Sequence, residues 1–526
     1  MAAALDKAIG AGHALVDPEF AERRGSITQT GKTTWDRLWP VIACGAGLFS
    51  DGYLNGVIGS VNTMLQRIYT TEYTNSPAQK NVSAITFAGT VVGHLLFGWT
   101  SDHYSRKWSL LVSTIILIIF AALCTGSYGA GGSVGGLFAA LTAYRFILGI
   151  GIGGEYPAGS VGCAESTGEL KEGTRHRWFI LFTNVQIDFG FVVAAFVPMI
   201  VVLATSESHL RAAWRICLGL GVIPPLSLLY LRIKLQEPES FKRESMSHTK
   251  TPWWLVIKFY WFRLFVVSLV WFVYDFSAYS FGIYSSSILD NLLTGGDPNA
   301  TYPLWKSFGW NTILNLWYMP GAIAGSFISD TRLGPKWTLI IFMALQSIVG
   351  YIMAACYGTL SKPEHVGSFV AVYGIFLALG EVGPGDNIGL CASKTSATGI
   401  RGQYYGIAAA WGKVGAFIGT YILPVIQDNA ATKLQAGQNP FWVASSMAMF
   451  ASFMALVGLP AIRQNTIEYE DIKFREYLMA NGYDTSKMGL KRVDTEESEE
   501  VTNMHGIGMD GKDTDTGNGF HPPDKI

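Results

Sequence analysis

The chain has 526 residues, of which 49% are hydrophobic and only 15% are charged. Soluble domains carry roughly 25% charged residues, so this composition excludes an ordinary soluble protein and favours a membrane protein. The formal net charge of -1 shows no basic excess, so no nucleic-acid partner is expected. The cysteines and histidines lack metal-ligand spacing, so we expect neither a metal nor a cofactor.

The first 36 residues are polar and lack an apolar core segment, so we expect a cytosolic N-terminal segment over 1–36 and no cleavable signal peptide. Twelve apolar runs follow, each long enough to cross roughly 30 Å of hydrocarbon as a helix. They lie near 38–58, 82–101, 108–127, 137–158, 178–203, 213–231, 262–288, 308–329, 337–357, 366–391, 402–427 and 440–461. Because the short alternating strands of a membrane barrel do not match such runs, the sequence predicts an all-α membrane protein of twelve transmembrane helices, spans 1–12 in chain order.

Charged stretches divide these spans into two groups of six. We predict an N-terminal six-helix bundle over 37–231, a cytosolic linker over 232–261 and a C-terminal six-helix bundle over 262–461. A cytosolic tail follows over 462–526. Within the tail, 466–480 has the pattern of a short surface-lying helix. Most of the tail after this helix is rich in Asp, Glu, Gly and Thr, so it is predicted to be disordered.

Lysine and arginine concentrate before span 1 and in the loops that follow the even-numbered spans. Because cytosolic loops of membrane proteins carry an excess of these residues, we place those loops in the cytosol. An even number of spans then puts both termini in the cytosol. The N-glycosylation sequon at Asn299 lies in a loop predicted to be outside, which agrees with this orientation.

Charged residues recur at matching places in the two halves, which predicts an internal repeat. The matched pairs are Asp51 with Asp275, Asp102 with Asp330, Glu155 with Glu381, and Asp188 with Lys413. A charged side chain at the centre of a membrane helix costs roughly 2.5–3.5 kcal/mol on insertion scales, so a charge within a span is a functional candidate. Parallel repeats of this kind place a transported substrate between two pseudo-symmetric bundles near mid-membrane.

Two spans present site candidates in a clear pattern. In span 7, Trp271, Asp275 and Tyr279 are spaced i, i+4 and i+8, so they share one helix face. In span 4, Tyr156 directly precedes Pro157, and a proline inside a membrane helix frees backbone polar groups and usually signals a cavity.

Spans 10 and 11 add polar candidates. Span 10 contains Gly383-Pro384-Gly385 followed by Asp386 and Asn387, which predicts a broken helix with two polar side chains. Span 11 contains Lys413, the only lysine deep in a predicted span. Two interpretations of Lys413 stay open, namely a ligand for an anion and a structural ion pair with Asp188 or Asp386.

The loop between spans 2 and 3 resembles the cytosolic signature of the major facilitator superfamily over 98–107. Its Asp102 is expected to cap a neighbouring helix or to pair with Arg106 or another helix. A second copy ends at Asp330, but serine replaces the glycine. In span 4, Arg145 precedes glycines four residues apart, which let helices pack closely. The resemblance implies the fold of that superfamily. We assign conformational or gating roles to Asp102, Arg106, Arg145 and Asp330.

Several segments resemble the phosphate:proton symporter family of that superfamily. The resemblance covers 38–461 and rests on the sequences around Asp51, around Glu155, on the span 7 face, and around Lys413. The resemblance implies that the proton path and the phosphate site are formed by Asp51, Tyr156, Trp271, Asp275, Tyr279 and Lys413.

Departures from that family are informative. Glu155 stands where the family has aspartate, and Gly385-Asp386-Asn387 stands where the family has asparagine directly after Gly-Pro. The Gly-Glu-Tyr-Pro sequence of span 4, the Asn184–Asp188 pair of span 5 and Gly-Pro-Gly-Asp-Asn of span 10 resemble the fungal glycerophosphoinositol, or glycerophosphodiester, permease branch.

This resemblance implies proton-coupled uptake of glycerophosphodiesters, such as glycerophosphoinositol and glycerophosphocholine, by alternating access across a fungal plasma membrane. Expected partners are a small anionic phosphate-containing substrate, protons and the lipid bilayer, and no enzymatic activity is expected. Because a carboxylate repels a bound anion, its protonation favours anion binding, so substrate and proton are expected to travel together. Expected proton-coupling residues are Asp51, Glu155, Asp188 and Asp275. Expected substrate-binding residues are Tyr156, Trp271, Asp275, Tyr279, Asp386, Asn387 and Lys413.

Two alternatives remain open at this point. A symporter of inorganic phosphate and protons would use the same kind of anion site. A non-transporting nutrient receptor would bind the ligand without accumulating it.

Overall fold

The computed structural model describes residues 34–488, except residues 75, 169, 248, 296–301 and 487. Within these ranges the chain is helical almost throughout and contains no strand. The N-terminal segment up to residue 33, the sequon at Asn299 and the predicted disorder at the end of the tail lie outside the described residues.

The first half of the chain forms six helical spans. They comprise Thr34–Gly45 and Leu48–Ile68 (span 1), Ala78–His103 (span 2), Arg106–Thr125 (span 3), Val134–Gly154, Glu155–Ser160 and Val161–Thr167 (span 4), Arg175–Phe182 and Asn184–Thr205 (span 5), and Leu210–Gly219 and Ile223–Ile233 (span 6). Side-chain caps begin two of these spans. The hydroxyl of Ser105 accepts a hydrogen bond from the N–H of Trp108, and that of Ser133 accepts one from Gly136, which satisfies backbone donors that a helix N-terminus leaves free.

The second half repeats this arrangement. Its spans comprise Trp253–Leu293 (span 7), Leu304–Leu316 and Tyr318–Ile328 (span 8), Gly334–Leu360 (span 9), Val366–Gly380, Glu381–Gly385 and Asp386–Lys394 (span 10), Arg401–Asp428 (span 11) and Lys433–Gly458 (span 12). Span 7 begins at Trp253, inside the predicted linker. A short helix, Glu239–Glu244, lies in the rest of that linker.

Eleven helices among the described residues are long and apolar enough to cross a membrane. The predicted span 8 is the exception, because its helices Leu304–Leu316 and Tyr318–Ile328 include Lys306, Asn311 and Asn315 and are less apolar than the other spans. Pro320 lies in the first turn of the second helix and has no N–H to donate to the carbonyl of Leu316, so the helical hydrogen bonding is interrupted there. Eleven strongly apolar spans and the less apolar span 8 account for the twelve predicted spans.

The distribution of polarity is the reverse of that in a soluble protein. Large apolar side chains such as Leu95, Phe265 and Phe453 are 49%, 53% and 60% exposed. Acidic side chains such as Asp51 and Asp275 are buried. This arrangement suits a molecule surrounded by hydrocarbon, where apolar side chains face lipid and polar ones face the interior.

The two bundles meet along three pairs of spans. Span 2 packs against span 11, span 5 against span 8, and span 1 against span 7. The contact between spans 2 and 11 is close enough that a Cβ atom on Gly98 would lie 2.9 Å from the carbonyl oxygen of Gly402. Within the first bundle, a Cβ on Gly153 would lie 2.6 Å from the Cα of Gly93, which confirms the predicted small-residue packing of span 4.

A matching irregular turn interrupts spans 4 and 10. Glu155–Ser160 and Glu381–Gly385 are π-helical rather than α-helical. Each contains a proline, Pro157 or Pro384, whose missing N–H prevents a regular α-helical bond. The predicted break in span 10 is therefore a widened turn through which the helix continues. Such turns often occur at functional sites because they redirect side chains.

The predicted helix after span 12 is confirmed as Thr466–Ala480. It docks against the beginning of span 7, where the ring of Phe474 lies 5.9 Å from that of Phe259. Arg263 of span 7 pairs with Glu470 at 2.9 Å. The helix therefore rests on protein, at the face that the charge pattern predicts to be cytosolic.

Asp471 anchors this helix to the start of span 11. Its carboxylate accepts hydrogen bonds from the backbone N–H and the hydroxyl of Thr398 at 2.6 and 2.8 Å, and it lies 3.6 Å from Arg401. Burial raises the pKa of Asp471 to about 6, although the nearby Arg401 acts in the opposite direction. The docked helix therefore holds the proton of Asp471 more tightly than a released helix would.

We predict that the docking of Thr466–Ala480 weakens as the pH rises from about 4 to about 6 and then stays constant. A raised pKa in the docked state stabilises docking fully below the ordinary carboxyl pKa, and this stabilisation is lost as the pH rises through about 6. The loss is on the order of 3 kcal/mol. Spin labels can be placed at the exposed Lys250 and Tyr469 in a protein whose exposed Cys356 is replaced by serine. The distribution of distances between the labels, measured by electron paramagnetic resonance, should broaden as the pH rises from about 4 to about 6.

The matched control is Asp471→Asn in the same labelled protein. Asparagine does not ionise here, so its distance distribution should not change with pH. If the protein that keeps Asp471 shows an equally narrow label-to-label distance distribution at pH 4.5 and pH 7, the prediction is wrong.

Candidate functional site

A cavity of about 60 Å³ lies between the two bundles, and we call its surroundings the central site. Residues of spans 1, 4, 5, 7, 8, 10 and 11 line it. The predicted site residues among them are Tyr156, Asp188, Trp271, Asp275, Tyr279 and Asp386. Ligand-binding pockets measure roughly 300–1,000 Å³, so the central site is contracted in this structure and must open to admit an organic phosphate.

One end of the central site is a buried lysine with its partners, which we call the lysine pole (Lys413, Asp275, Tyr156 and Tyr279). The Nζ atom of Lys413 lies 3.2 Å from Oδ2 of Asp275. It also donates hydrogen bonds to the hydroxyl of Tyr156 at 3.2 Å and to that of Tyr279. Two hydroxyl acceptors and one carboxylate thus surround the ammonium group, so the buried charge is compensated.

Asp51 of span 1 extends the lysine pole into the first bundle. Its Oδ2 atom accepts hydrogen bonds from the hydroxyls of Tyr156 and, at 3.2 Å, Tyr279. Asn55 donates to the other carboxylate oxygen. Asp51 is buried behind the two tyrosines and does not itself line the cavity. The two tyrosines therefore connect a carboxylate of one bundle to the lysine of the other.

The other end of the central site, the acidic pole, consists of Asp188, Glu381 and Asp386 gathered around Asn184. The side-chain nitrogen of Asn184 lies 2.9 Å from Glu381, 3.0 Å from Asp386 and 3.3 Å from Asp188. Tyr274 donates a hydrogen bond of 2.7 Å to Glu381. Asp188 and Asn184 belong to span 5 and the other two acids to span 10, so the acidic pole also joins the two bundles.

Lys413 pairs with Asp275, whereas the structural interpretation of Lys413 named Asp188 or Asp386 as the partner. Both of those acids lie in the acidic pole around Asn184. The partners predicted for a structural ion pair are therefore wrong. The reason is that Asp275 and Lys413 lie on adjacent helices of the same bundle, spans 7 and 11, which pack directly together.

Span 7 presents both poles from neighbouring positions. Asp275 contacts Lys413, and the preceding residue, Tyr274, contacts Glu381. Successive side chains of an α-helix point about 100° apart, so one helix can face both ends of the cavity. Trp271 completes the wall, with its ring 5.3 Å from that of Tyr405 in an edge-to-face arrangement.

Glu155 lies apart from the central site. Its carboxylate forms a bidentate pair with Arg232 at the end of span 6 and accepts a hydrogen bond of 3.2 Å from Ser113. It is buried and is not among the residues that line the cavity. Its counterpart in the repeat, Glu381, does line the cavity. The two matched acids thus have different surroundings.

Asn387 supports the π-helical turn of span 10. Its side-chain nitrogen donates to the carbonyl oxygens of Val382 and Gly383, at 3.1 and 2.9 Å, and its oxygen accepts a hydrogen bond from Ser329. These bonds add side-chain donors to carbonyl groups within the turn that contains Pro384. Asn387 does not line the contracted cavity, whereas the adjacent Asp386 does.

The two copies of the signature motif perform the same task across the bundle interface. Asp102 accepts hydrogen bonds of 2.9 and 2.7 Å from the N–H groups of Gly402 and Gln403, at the start of span 11. Asp330 accepts bonds of 3.2 and 3.1 Å from the N–H groups of His176 and Arg177, at the start of span 5. Each aspartate therefore caps a helix of the opposite bundle, and the serine in the second copy does not prevent this.

The environment of Asp330 differs from that of an exposed cap. Burial raises the pKa of its carboxyl above the ordinary value, while a hydrogen bond of 2.8 Å from Gln464 and the backbone donors oppose this effect. The cap thus lies at the boundary between solvent and the closed bundle interface.

An ion-pair network reinforces the Asp102 cap. Arg106 pairs with Asp102 within the motif and, at 3.1 Å, with Glu165 near the end of span 4. Glu165 also pairs at 3.0 Å with Arg401, the first residue of span 11. All four side chains are buried. Because Glu165 belongs to one bundle and Arg401 to the other, this network holds the predicted cytosolic face closed.

Arg145 has a different environment from the other predicted gating residues. Its guanidinium donates to the carbonyl oxygens of Val82 and Leu54 at 2.9 and 3.4 Å, both within the first bundle. Arg145 is fully buried. Both of these hydrogen bonds stay within the first bundle, and Arg145 is not among the residues that line the cavity. Arg145 therefore ties spans 1, 2 and 4 together.

The opposite face of the molecule is closed as well. Arg67 of span 1 pairs with Asp290 of span 7 at 3.0 Å and with Glu207 at 3.3 Å. One turn further in, the hydroxyls of Thr63 and Ser286 lie 3.1 Å apart. Contacts between the bundles thus close the central site from both sides, which describes an occluded conformation.

Several residues of these networks were missed by sequence reasoning. Glu165 and Arg232 contact predicted site residues, but no motif singled out their roles. Arg401 contacts Glu165, and Tyr274 contacts the matched acid Glu381. The repeat offered one usable signal, since Glu381 matches Glu155 and was recognised on that ground. The others depend on how helices from different parts of the chain rotate toward one another.

Comparison with known proteins agrees with this architecture. The family model of the sugar (and other) transporters matches residues 39–249 and 236–474. A glycerophosphocholine permease of Candida albicans is 49% identical over 468 residues, which cover 88% of this chain and 86% of that protein. The major glycerophosphoinositol permease of the same organism is 48% identical, over 86% of this chain and 84% of that protein.

The fold also matches a solved structure. The proton:xylose symporter XylE, a member of the major facilitator superfamily, superposes with a TM-score of 0.67 at 17% sequence identity. The match covers 83% of this chain and 98% of that chain. It confirms the prediction of twelve helices in the fold of that superfamily.

We predict that Glu165→Gln opens the closed network at the signature motif. Glutamine cannot pair ionically with Arg106 and Arg401, and removing one member of a buried ion pair costs about 3–5 kcal/mol. In a cysteine-free background carrying Ser160→Cys in the cavity wall, an impermeant maleimide should label the cysteine about tenfold faster in inside-out vesicles.

The exposed Glu172 in the loop after span 4 offers a matched control, because Glu172→Gln removes a charge without touching the network. Equal labelling rates in Glu165→Gln and Glu172→Gln would contradict a closing role for Glu165.

Proposed function

Because the chain belongs to the sugar (and other) transporter family, and within it to the glycerophosphodiester permeases of the major facilitator superfamily, we propose that it moves glycerophosphodiesters together with protons by alternating access. The observation that carries this proposal is the central site itself. A buried cation, Lys413, contacts three residues that line the cavity, Tyr156, Asp275 and Tyr279. Contacts between the bundles close this cavity on both sides.

The lysine pole suits the phosphate of the substrate. A phosphodiester carries one negative charge at pH 7, and Lys413, Tyr156 and Tyr279 present an ammonium group and two hydroxyls at one end of the cavity. Hydrogen bonds that involve an ionised group are about twice as strong as neutral ones, so the lysine is the main attraction for the anion. Trp271 lines the same end and has an indole N–H that can donate.

Proton coupling follows from the pairing of Lys413 with Asp275. In the occluded structure the Asp275 carboxylate lies 3.2 Å from the lysine nitrogen, in the place where a phosphate oxygen would bind. An ionised Asp275 both competes for the lysine and repels the anion. A proton on Asp275 removes both effects, so substrate and proton bind together and leave together.

The remaining predicted proton-coupling residues fit this scheme to different degrees. Asp51 contacts Tyr156 and Tyr279, so it can exchange protons with the lysine pole through their hydroxyls. Asp188 belongs to the acidic pole. For Glu155 the pairing with Arg232 favours a structural role, and we propose no step through it.

We further propose that the two closed faces open in turn as one bundle rocks against the other. Opening toward the cytosol separates Glu165 from Arg401 and both motif aspartates from the helices they cap. Opening toward the outside separates Arg67 from Asp290. The proposed location is the plasma membrane with both termini in the cytosol, and the substrate undergoes no covalent change.

Uptake of a small radiolabelled panel in cells without their own carriers tests the substrate class. We expect uptake of glycerophosphocholine and glycerophosphoinositol, with little inhibition by a 100-fold excess of inorganic phosphate. Complete inhibition by phosphate would favour a phosphate symporter. Binding without accumulation in proteoliposomes would favour a receptor.

We predict that Asp275→Asn abolishes proton-driven accumulation while exchange of substrate across the membrane persists. Asparagine keeps the shape of the side chain but carries no transferable proton, so the pH gradient has no group to act on. In proteoliposomes, accumulation at an outside pH of 5 should fall at least about tenfold, and uptake at pH 5 and pH 7 should become equal.

Glu364→Gln provides the control, since its carboxylate is exposed in a loop far from the cavity. An Asp275→Asn protein that still accumulates substrate in response to a pH gradient would remove Asp275 from the coupling mechanism.

A further inference from the structure

The acidic pole holds more hydrogen-bond acceptors than its neighbours can satisfy. The amide group of Asn184 has two hydrogens, yet it lies within hydrogen-bonding distance of Asp188, Glu381 and Asp386. Tyr274 adds one further hydrogen, donated to Glu381. Three donated hydrogens therefore face six carboxylate oxygens.

One of these oxygens has no partner at all. Oδ2 of Asp386 is buried and makes no hydrogen bond to any residue in the described part of the chain. Asp386 is 1% exposed and lines the cavity. A buried carboxylate oxygen without a hydrogen-bond partner is unfavourable, so the site is incomplete as it stands.

The acidic pole also has no positive charge of its own. Within the ranges described by the structure, none of its three carboxylates forms an ion pair with a lysine, arginine or histidine. The described part of the chain contains no group of His, Cys, Asp or Glu side chains arranged to hold a metal ion. The nearest buried cation, Lys413, is committed to Asp275 and two tyrosines at the other pole.

We propose that the acidic pole binds an ammonium group carried by the alcohol end of a zwitterionic glycerophosphodiester, while its phosphate binds at the lysine pole. This inference rests on the proposed function and specifies which members of that substrate class are preferred. In the occluded structure the amide of Asn184 lies among the three acids, where the ammonium group would bind, and it carries no charge to compensate theirs.

The surroundings of the acidic pole support a methylated ammonium in particular. Tyr274, which donates to Glu381, lines the cavity together with Tyr318 and Phe191, whose rings lie 5.9 Å apart. A quaternary ammonium donates no hydrogen bonds and is held by aromatic faces together with negative charge. The acids supply the charge, and the three rings supply apolar surface for the methyl groups.

The arrangement also separates the two charges of such a substrate. Tyr274 and Asp275 follow one another in span 7 and lead to opposite poles, so the positive and negative ends of the ligand would lie on two sides of one helix. A head group without positive charge would leave the acids of that pole unpaired. Discrimination by unpaired buried groups is large in binding sites.

A comparison of two substrates that differ only in head-group charge tests this inference. Glycerophosphocholine carries a trimethylammonium group, whereas glycerophosphoglycerol carries hydroxyls and the same phosphodiester. We expect the wild-type protein to have a KM for glycerophosphocholine at least about tenfold lower than for glycerophosphoglycerol. Asp386→Asn should raise the KM for glycerophosphocholine about tenfold and change that for glycerophosphoglycerol less than about twofold.

Free choline provides a second measurement that needs no variant. It should inhibit glycerophosphocholine uptake by the wild-type protein, and an equal concentration of glycerol should not. Glu364→Gln serves as the matched surface control and should keep the wild-type preference.

Several outcomes would overturn the proposal. Equal KM values for the two substrates in the wild-type protein would do so, as would an equal rise of both in Asp386→Asn. A variant that loses pH dependence but keeps its head-group preference would make the acidic pole a proton site instead. Transport of glycerophosphoglycerol without preference leaves the proposed function intact, whereas no transport of either diester would overturn both.

Discussion

The structure depends above all on a single buried cation. Lys413 lies among Asp275, Tyr156 and Tyr279, and through those tyrosines it is linked to Asp51 of the other bundle. An isolated ammonium group in this position would be unstable, because removing one partner of a buried ion pair costs several kcal/mol. The groups around Lys413 stabilise its buried charge. An anionic ligand can replace each of these groups as a partner of the lysine.

The same constraint explains why the bundles meet where they do. Each pole draws side chains from both halves, so closing the cavity brings together groups that would otherwise be unpaired in a dry environment. At the faces of the molecule, the contacts between halves are of a different kind, consisting of helix caps and ion pairs near water. The central site therefore selects ligands by charge, whereas the caps and ion pairs at the two faces determine how easily the two bundles separate.

The sequence predicted the architecture well because its signals are local. Long apolar runs, the excess of lysine and arginine on one set of loops and the recurrence of Asp102 as Asp330 need no knowledge of tertiary structure. In the structure, the break in span 8 is explained by Pro320, in the first turn of the helix Tyr318–Ile328. Prolines are common at helix starts, so Pro320 did not predict the break from the sequence.

The site was harder to predict because its partners come from rotations between helices. The face formed by Trp271, Asp275 and Tyr279 follows from spacing alone, and these residues do line one cavity. The partner of Lys413 could not be chosen from spacing, since Asp188, Asp386 and Asp275 were all acids at mid-span. Glu155 and Glu381 illustrate the same limit. They hold matched positions in the repeat, yet Glu155 pairs with Arg232 whereas Glu381 accepts a hydrogen bond from Tyr274.

The paired motif aspartates have an electrostatic consequence for release. While the face predicted to be cytosolic is closed, Asp102 and Asp330 neutralise the positive ends of spans 11 and 5. When the halves part, four backbone N–H groups lose their carboxylates at the same moment, at the mouth of the newly opened passage. A departing anion then meets two helix ends that attract it outward, so the movement that unseals the passage also creates a field that draws the anion through it.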